Sequence, residues 1–177
     1  MVYFISDLHD QHVNILSYCP ETRPFKDVNE QREHIVNSWN SRVTAEDTIY
    51  VLGDICMGIK EVNVPKLLSR LNGHKICIVG NHDKSPDKMV LWGFHEAYDK
   101  LEVELEGFKV LLQHKPPSEE QYSKFNYILH GHCHGKLDHH SEFKRFPAAV
   151  DVGVDATGSF VPKTFSELIS GIEPNSI

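Results

Sequence analysis

Five short apolar runs each end in aspartate, asparagine or histidine, and this recurrence constrains the fold more than any other feature of the chain. Val2-Tyr3-Phe4-Ile5-Ser6 leads into Asp7-Leu8-His9, and Thr48-Ile49-Tyr50-Val51-Leu52 leads into Gly53-Asp54. Lys75-Ile76-Cys77-Ile78-Val79 precedes Gly80-Asn81-His82-Asp83, Lys109-Val110-Leu111-Leu112-Gln113 precedes His114, and Tyr127-Ile128-Leu129-His130 precedes Gly131-His132-Cys133-His134. Short runs of this kind suit strands buried on both faces. Polar groups at the carboxyl ends of such strands converge on one crevice, where open α/β sheets bind ligands. Seven convergent oxygen and nitrogen donors read as a two-metal site.

Between these runs the spacing predicts helices. Asn29 to Arg42 carries an apolar stripe of Ile35, Val36 and Trp39. In Val62 to Leu71 the residues Val64, Leu67, Leu68 and Leu71 recur at helical intervals, and Asn72-Gly73 supplies a stop. Ser85 to Trp92 reads as a short helix entered through a capping serine and Pro86 at the first helical position. From Lys100 the period changes: Leu101 to Leu105 alternates, Glu106-Gly107-Phe108 turns, and Lys109 to Gln113 returns as a hairpin partner. A second sheet is therefore expected. Ala149 to Val154 reads as one more strand and Lys163 to Ile169 as a terminal helix. No repeat or linker interrupts the 177 residues, so residues 1–177 are expected to form one domain.

In an extended segment residues i and i+2 point the same way, so Asp7 and His9 are expected to face one ion while Leu8 turns to the core. His132 and His134 repeat the arrangement around Cys133. Imidazole, carboxylate and amide oxygen without thiolate suit Mn, Fe, Ni or Zn rather than a structural zinc knot.

The ordered motifs D-x-H, G-D, G-N-H-D, H and G-H-x-H, spanning Asp7 to His134, resemble those of the calcineurin-like metallophosphoesterase superfamily, in particular its small bacterial and phage phosphoesterases. The resemblance implies an α/β fold built as a four-layer αββα sandwich, two mixed β-sheets flanked by helices, with a dinuclear metal site at the strand ends. It implies that Asp7, His9 and His134 hold one metal, that Asn81, His114 and His132 hold the other, and that Asp54 bridges both, with His82 free as the catalytic imidazole. Two divalent ions, Mn²⁺ favoured over Fe, Ni, Zn or Mg, lie about 3.5–4 Å apart in such sites and lower the pKa of a bridging water to make a hydroxide nucleophile. Such a core keeps a charge of about +1, which attracts phosphate. Serine/threonine phosphatases of the superfamily continue the second motif as G-D-x-V-D-R-G, whereas here it runs Gly53-Asp54-Ile55-Cys56-Met57-Gly58. Met57 thus replaces the Asp that orients the imidazole in those enzymes. That departure weighs toward small phosphodiesters, possible cyclic nucleotides among them, with phosphomonoester hydrolysis of nucleotides or phosphoproteins as the alternative. A non-catalytic scaffold on the same fold ranks last, because no expected ligand position is missing.

Composition narrows the partners. A formal charge of −7 disfavours a stable complex with nucleic acid and leaves a small phosphorylated substrate. No run approaches the roughly 18 apolar residues of a membrane span, and a chain opening directly into a strand is expected in the cytoplasm. Cys19, Cys56, Cys77 and Cys133 lack CxxC spacing and read as reduced thiols. Oligomeric state has no signature. Several other residues have an ordinary reading: His12 as a capping or surface histidine, His130 as packing or ligand support, His139 and His140 as exposed loop, Lys84, Lys115 and Lys136 as solvated. Asp151 and Asp155 lie in a turn-rich segment from which either could orient a ligand histidine. Histidine ligands must be neutral to bind metal, so activity is expected to fall as pH drops through about 6.5.

Overall fold

The computed structural model describes residues 1–177, and in it the motif-bearing runs become strands of two four-stranded sheets. The first holds β1 (Val2–Ile5), β2 (Thr48–Val51), β3 (His74–Ile78) and β4 (Glu96–Tyr98) in that order. All its ladders are parallel, with Val2 paired to Thr48, Thr48 to His74 and Ile76 to Glu96. Its only antiparallel contact is a single bridge from Phe4 to Lys163. The second sheet is mixed: β5 (Lys100–Leu105) and β6 (Phe108–Gln113) form a hairpin, and β7 (Tyr127–His130) and β8 (Ala149–Asp151) follow in parallel. The two mixed sheets expected from the motifs are thus one parallel and one mixed, because each strand of the first sheet is reached by a crossover helix. The hairpin turn places Glu106 and Gly107 at φ 51° and 82°, the left-handed pair of a two-residue turn that matches strand twist.

Alternation along the strands sets the layers. Tyr3, Ile5, Ile49, Val51 and Cys77 face outward against α2 (Val28–Asn40), α3 (Lys60–Leu68) and α4 (Pro86–Leu91), where Ile35, Trp39, Val64, Leu67 and Met89 complete the largest apolar cluster. Phe4, Leu52 and Ile78 face inward and meet Val110, Leu112 and Leu129 of the second sheet. The outer face of that sheet has a thin cover, Leu111, Phe125 and Ile128 packed by Tyr122 of the one-turn helix α5 (Glu119–Tyr122). Short helices α1 (Ile15–Tyr18), α6 (Val154–Thr157) and α7 (Phe165–Leu168) close the ends, with Phe165 sealing the seam between the sheets.

Local chemistry fixes the boundaries. The Asp27 side chain accepts hydrogen bonds from the amides of Asn29 and Glu30, both at 2.9 Å, and so starts α2. Helix α3 begins and ends two or three residues earlier than its apolar spacing predicts, and Pro65 inside it removes one backbone donor. Pro86 opens α4 as expected, but the Ser85 side chain makes no capping bond. The last strand stops at Asp151, and Val154, expected within it, instead begins α6 after Gly153. All four cysteines are buried free thiols, and no helix is long and apolar enough to cross a membrane.

Candidate metal centre

All seven expected donor residues meet at the carboxyl ends of the strands, but five of them are not on extended backbone. Asp7, His9, Asp54, His132 and His134 have φ of 58°, 48°, 54°, 74° and 50°, left-handed conformations uncommon outside glycine. Alternate left-handed residues, rather than a continued strand, bring Asp7 with His9 and His132 with His134 to one side. Such backbone costs on the order of 1–3 kcal/mol per residue and persists only where neighbours enforce it.

The enforcement is visible. The first two motif loops run side by side, with amides of Asp7, His9 and Asp10 donating to carbonyls of Gly53, Asp54 and Ile55 at 3.0, 3.0 and 2.9 Å. The Asp83 carboxylate accepts from the amides of Asp54, Ile55 and Gly80 at 2.8, 3.1 and 2.9 Å, pinning the second motif to the third. Burial together with the nearby Asp54 charge pushes the Asp83 carboxyl up despite these bonds. On the opposite side the Asp151 carboxylate accepts from Gly135 and Gly153 at 3.1 and 2.9 Å and holds the last motif. A Cβ on Gly80 would collide with Asp54, which is why the chain needs glycine there.

Two donor groups result. In the first, Asp7, His9 and His134 bring ligand atoms within 4.8 Å of one another. His9 Nε2 lies 3.8 Å from Asp7 Oδ1 and 3.6 Å from Asp54 Oδ2, and it is a buried ring nitrogen with no hydrogen-bond partner. In the second, Asp54, His114 and His132 cluster equally closely. His114 Nε2 lies 3.0 Å from Asn81 Oδ1, 3.3 Å from His132 Nδ1 and 3.3 Å from Asp54 Oδ2. Bonds of about 2.0–2.2 Å to one ion would place neighbouring ligand atoms about 3.0–3.6 Å apart, so this spacing fits a cation. The unpartnered His9 nitrogen fits one as well, since a buried polar atom left unsatisfied is costly. Asp54 belongs to both groups by distance.

The titration pattern reflects the crowding. Burial raises Asp54 and Asp7, yet His114 and His9 beside them bring both carboxyls below their ordinary range. Burial lowers His114, but Asp54 and Asp7 outweigh it and carry the imidazole up to about 9. His132, desolvated and next to His114, falls to about 4.

Residues behind the donors orient them. His114 Nδ1 meets the Leu52 carbonyl at 2.7 Å, so an N–H there turns Nε2 toward the donors. His134 Nδ1 lies 2.6 Å from Asp155 Oδ2, a carboxylate held in turn by Thr22 and by Arg23, whose Nη2 is 2.9 Å away. Asp155, not Asp151, is therefore the orienting carboxylate. Arg23 is 1% exposed and also donates to the carbonyls of Asp7 and Leu8 at 2.7 and 2.9 Å. Neither Arg23 nor its pairing was signalled by the sequence, since the two partners stand 132 residues apart. His12, expected on the surface, packs instead with Nδ1 3.1 Å from His9 Nδ1, and burial with the neighbouring His9 and His82 pushes it down to about 4. His140, expected in an exposed loop, places its ring 5.8 Å from that of His132. Lys136 reaches the Tyr18 carbonyl at 2.9 Å and ties the last motif to α1.

His82 sits apart from the donors. Its Nε2 is 3.9 Å from Asp54 Oδ2, its side chain is 40% exposed, and its ring meets that of His9 edge-on at 5.6 Å. Its backbone is fixed by its amide, which donates to Asp54 Oδ1 at 2.9 Å, and by Lys60, which donates to its carbonyl, while the ring itself makes no hydrogen bond. Met57 lines a cavity beside it.

The chain is similar to other proteins over nearly its whole length. The uncharacterized protein MJ1445 of Methanocaldococcus jannaschii is 31% identical across 99% of this chain and 93% of its own length. The gene 66 protein of Mycobacterium phage D29 is 28% identical, with 97% of each chain covered. Among solved structures, AQ665 from Aquifex aeolicus, a protein of unknown function, superposes with a TM-score of 0.72 at 27% identity, covering 97% of this chain and 99% of that one. No model of a known protein family matches the sequence.

Proposed function

The chain belongs to one family with MJ1445, and from its ordered motifs and paired sheets, which resemble those of the calcineurin-like metallophosphoesterases, we propose that it is a metal-dependent phosphodiesterase acting on small substrates. The observation that carries the reading is the pair of donor groups around Asp54, with His9 Nε2 buried and without a partner. Asp7, His9 and His134 would hold one divalent ion, Asn81, His114 and His132 a second, and the Asp54 carboxylate would serve both. Ions bound there supply Lewis acidity toward the phosphoryl oxygens and a hydroxide at neutral pH.

The protein's own contribution begins with placement. Leu52 and Asp155 fix which nitrogen of His114 and His134 faces inward, and Asp83 and Asp151 hold the loops that carry the donors. His82 stands at the rim, where its ring can donate a proton to the departing ester oxygen, a role typically worth about 100- to 10,000-fold in rate. With Met57 in place of an orienting Asp, that ring is positioned by packing against His9 and His12. An imidazole of this kind, and a cleft with room on both sides of the donors, favour diesters over phosphoproteins.

Metal-stripped protein with Mn²⁺, Ni²⁺, Zn²⁺ or Mg²⁺ restored is the direct test, using bis(p-nitrophenyl) phosphate against p-nitrophenyl phosphate. The expected result is metal-restored turnover with the diester preferred, lost in Asp54→Asn. Preference for the monoester would reverse the substrate reading. Absence of turnover in protein that binds two ions would reverse the enzymatic one.

A further inference from the structure

Two cavities of different lining flank the donor groups. One, of about 670 Å³, opens beside Asn81 and His114 and is lined by the polar side chains Gln113, Lys115, Ser118 and Gln121. Within it Gln121 Nε2 donates to Gln113 Oε1 at 2.7 Å, so the amides present a fixed hydrogen-bonding wall. The other, of about 490 Å³, opens beside His9 and His134 and is walled by Ile15, Tyr18, Met57 and Cys133 together with Lys136 and further histidines. In a chain with a formal charge of −7, this second cavity is lined by no carboxylate. Both volumes lie in the range of pockets that take organic groups. Tyr18 is 60% exposed, and its ring stands edge-on to His12 at 6.3 Å, leaving a face open to the cavity. His82 lines the cavity of Tyr18 and Met57 and not that of Gln113 and Gln121.

A phosphate held between the two donor groups carries two ester arms that diverge tetrahedrally, so that one can enter each cavity. A monoester would leave one of them unfilled. We propose that the substrate is a phosphodiester with unlike arms, a flat apolar arm that leaves from the cavity of Tyr18, Met57 and His82, and a hydroxyl-bearing arm that keeps the phosphate beside Gln113 and Gln121. The position of His82 sets the direction, because a proton donor serves the ester oxygen on its own side. In the step one water is consumed. Its oxygen bonds to phosphorus, the bond from phosphorus to the apolar arm's oxygen breaks, and that oxygen takes the proton from His82. One of the water's protons restores His82 and the other remains with the phosphate product or the solvent. This inference rests on the phosphodiesterase reading and adds the identity and order of the arms.

Benzyl glyceryl phosphate tests it, since its two alcohols are alike in acidity and the protein rather than the leaving group decides which bond breaks. Products from the metal-restored full chain are identified by NMR. Benzyl alcohol with glycerol phosphate is expected to dominate, and Tyr18→Ala is expected to lower their excess over benzyl phosphate with glycerol by about 3- to 10-fold, the size of one aromatic contact. Tyr18→Phe should keep the wild-type ratio. Because Tyr18 is exposed, the variant should fold, and binding of dibenzyl against dimethyl phosphate to metal-loaded His82→Ala protein gives a second readout in which adding Tyr18→Ala should erase the benzyl preference. Benzyl phosphate as the main product, or a ratio indifferent to Tyr18→Ala, would overturn the proposal. So would refusal of this substrate by protein that hydrolyses bis(p-nitrophenyl) phosphate. Refusal of both, with two ions bound, would instead overturn the phosphodiesterase reading.

Discussion

Asp7, His9 and His134 are braced from behind by side chains linked across the fold, whereas Asp54, His114 and His132 are braced by one backbone carbonyl and one nearby carboxylate, Asp83. Behind the first group stand Asp155 on His134, Arg23 on Asp155 and on the carbonyls of the first motif, Gln31 on the His9 carbonyl at 3.1 Å, and His12 against the His9 ring. Behind the second stand the Leu52 carbonyl on His114 and the amides of Asp54, Ile55 and Gly80 gathered by Asp83. The Leu52 carbonyl comes with the sheet and tolerates substitution. Side-chain bracing of the first group spans the fold through one buried ion pair, so a single change can disable it. The first donor group should therefore be the fragile half of the centre.

The strongest way to break this comparison is Arg23→Ala. Removing one member of a buried ion pair leaves the other uncompensated and costs about 3–5 kcal/mol. For a chain of this size that corresponds to a fall in Tm of roughly 6–20 °C. Thermal unfolding of the metal-free protein checks it, and a fall of only a degree or two would mean that Asp155 is not held as the 2.9 Å contact implies.

Asp155→Asn is the finer cut. The amide keeps the shape but weakens both the pull on His134 and the pairing with Arg23, which lowers the Asp155 carboxyl far below its ordinary value in the wild type even though burial opposes this. Loss of such an orienting partner typically weakens metal affinity by about 10- to 100-fold. Calorimetric titration with Mn²⁺ should show one ion weakened and the other unchanged. If both shift together, the two halves are not separately supported.

Proton release sharpens the contrast from the other side. In the metal-free protein His114 holds a proton up to about pH 9 while His132, 3.3 Å away, is neutral above about 4. A pKa raised in the folded state contributes stability that is full below the ordinary histidine value of about 6.5 and is lost as pH rises through about 9. An ion entering this group at pH 7–8 must displace that proton, so its affinity should climb with pH until about 9. Mn²⁺ titrations in buffers of different ionisation enthalpy should report release of about one proton from the second group. No release would mean that His114 is already neutral.

The parts of the molecule written in neighbouring residues were legible in the sequence. The five motifs marked the candidate donor groups because each joins an apolar run to its donors within a few positions, and Ile35, Val36 and Trp39 marked α2 in the same way. The bracing was not legible. Arg23 sits between Pro20 and Pro24 in a segment with no periodicity, and its partner Asp155 is fixed only by the meeting of the two sheets. The left-handed backbone at Asp7, His9, His132 and His134 was missed because spacing of two residues mimics a strand, and only the pairing of loops enforces the alternative. Glu96 to Tyr98 is too short to carry a period and becomes β4 only because β3 offers it an edge. α5 and α7 did have a local signal, Ser118 with Gln121 and Thr164 with Glu167, each a capping box with the polar partner three residues on.

The smallest expected effect lies in that last box, and it serves as the control for the others. Thr164 donates its amide to Glu167 Oε2 at 2.7 Å, and Glu167 also pairs with Arg42 at 2.9 Å. These contacts, the Thr164 amide first, draw the Glu167 carboxyl down to about 2 although what burial it has opposes the shift. A depressed carboxylate stabilises fully above its ordinary value and loses that contribution as pH falls through about 2. Thr164→Ala removes the hydroxyl that accepts from the Glu167 amide and should cost about 1 kcal/mol, roughly 2–4 °C in Tm. Because α7 touches the seam between the sheets at Phe165 and reaches neither donor group, Mn²⁺ affinity and proton release should be unchanged. A Tm loss of this kind without any metal phenotype would show that the changes seen in Arg23→Ala and Asp155→Asn come from bracing the donors and not from instability as such. If Thr164→Ala weakened metal binding as well, global stability and site geometry would be coupled throughout, and the division of the centre into a fragile and a robust half would lose its meaning.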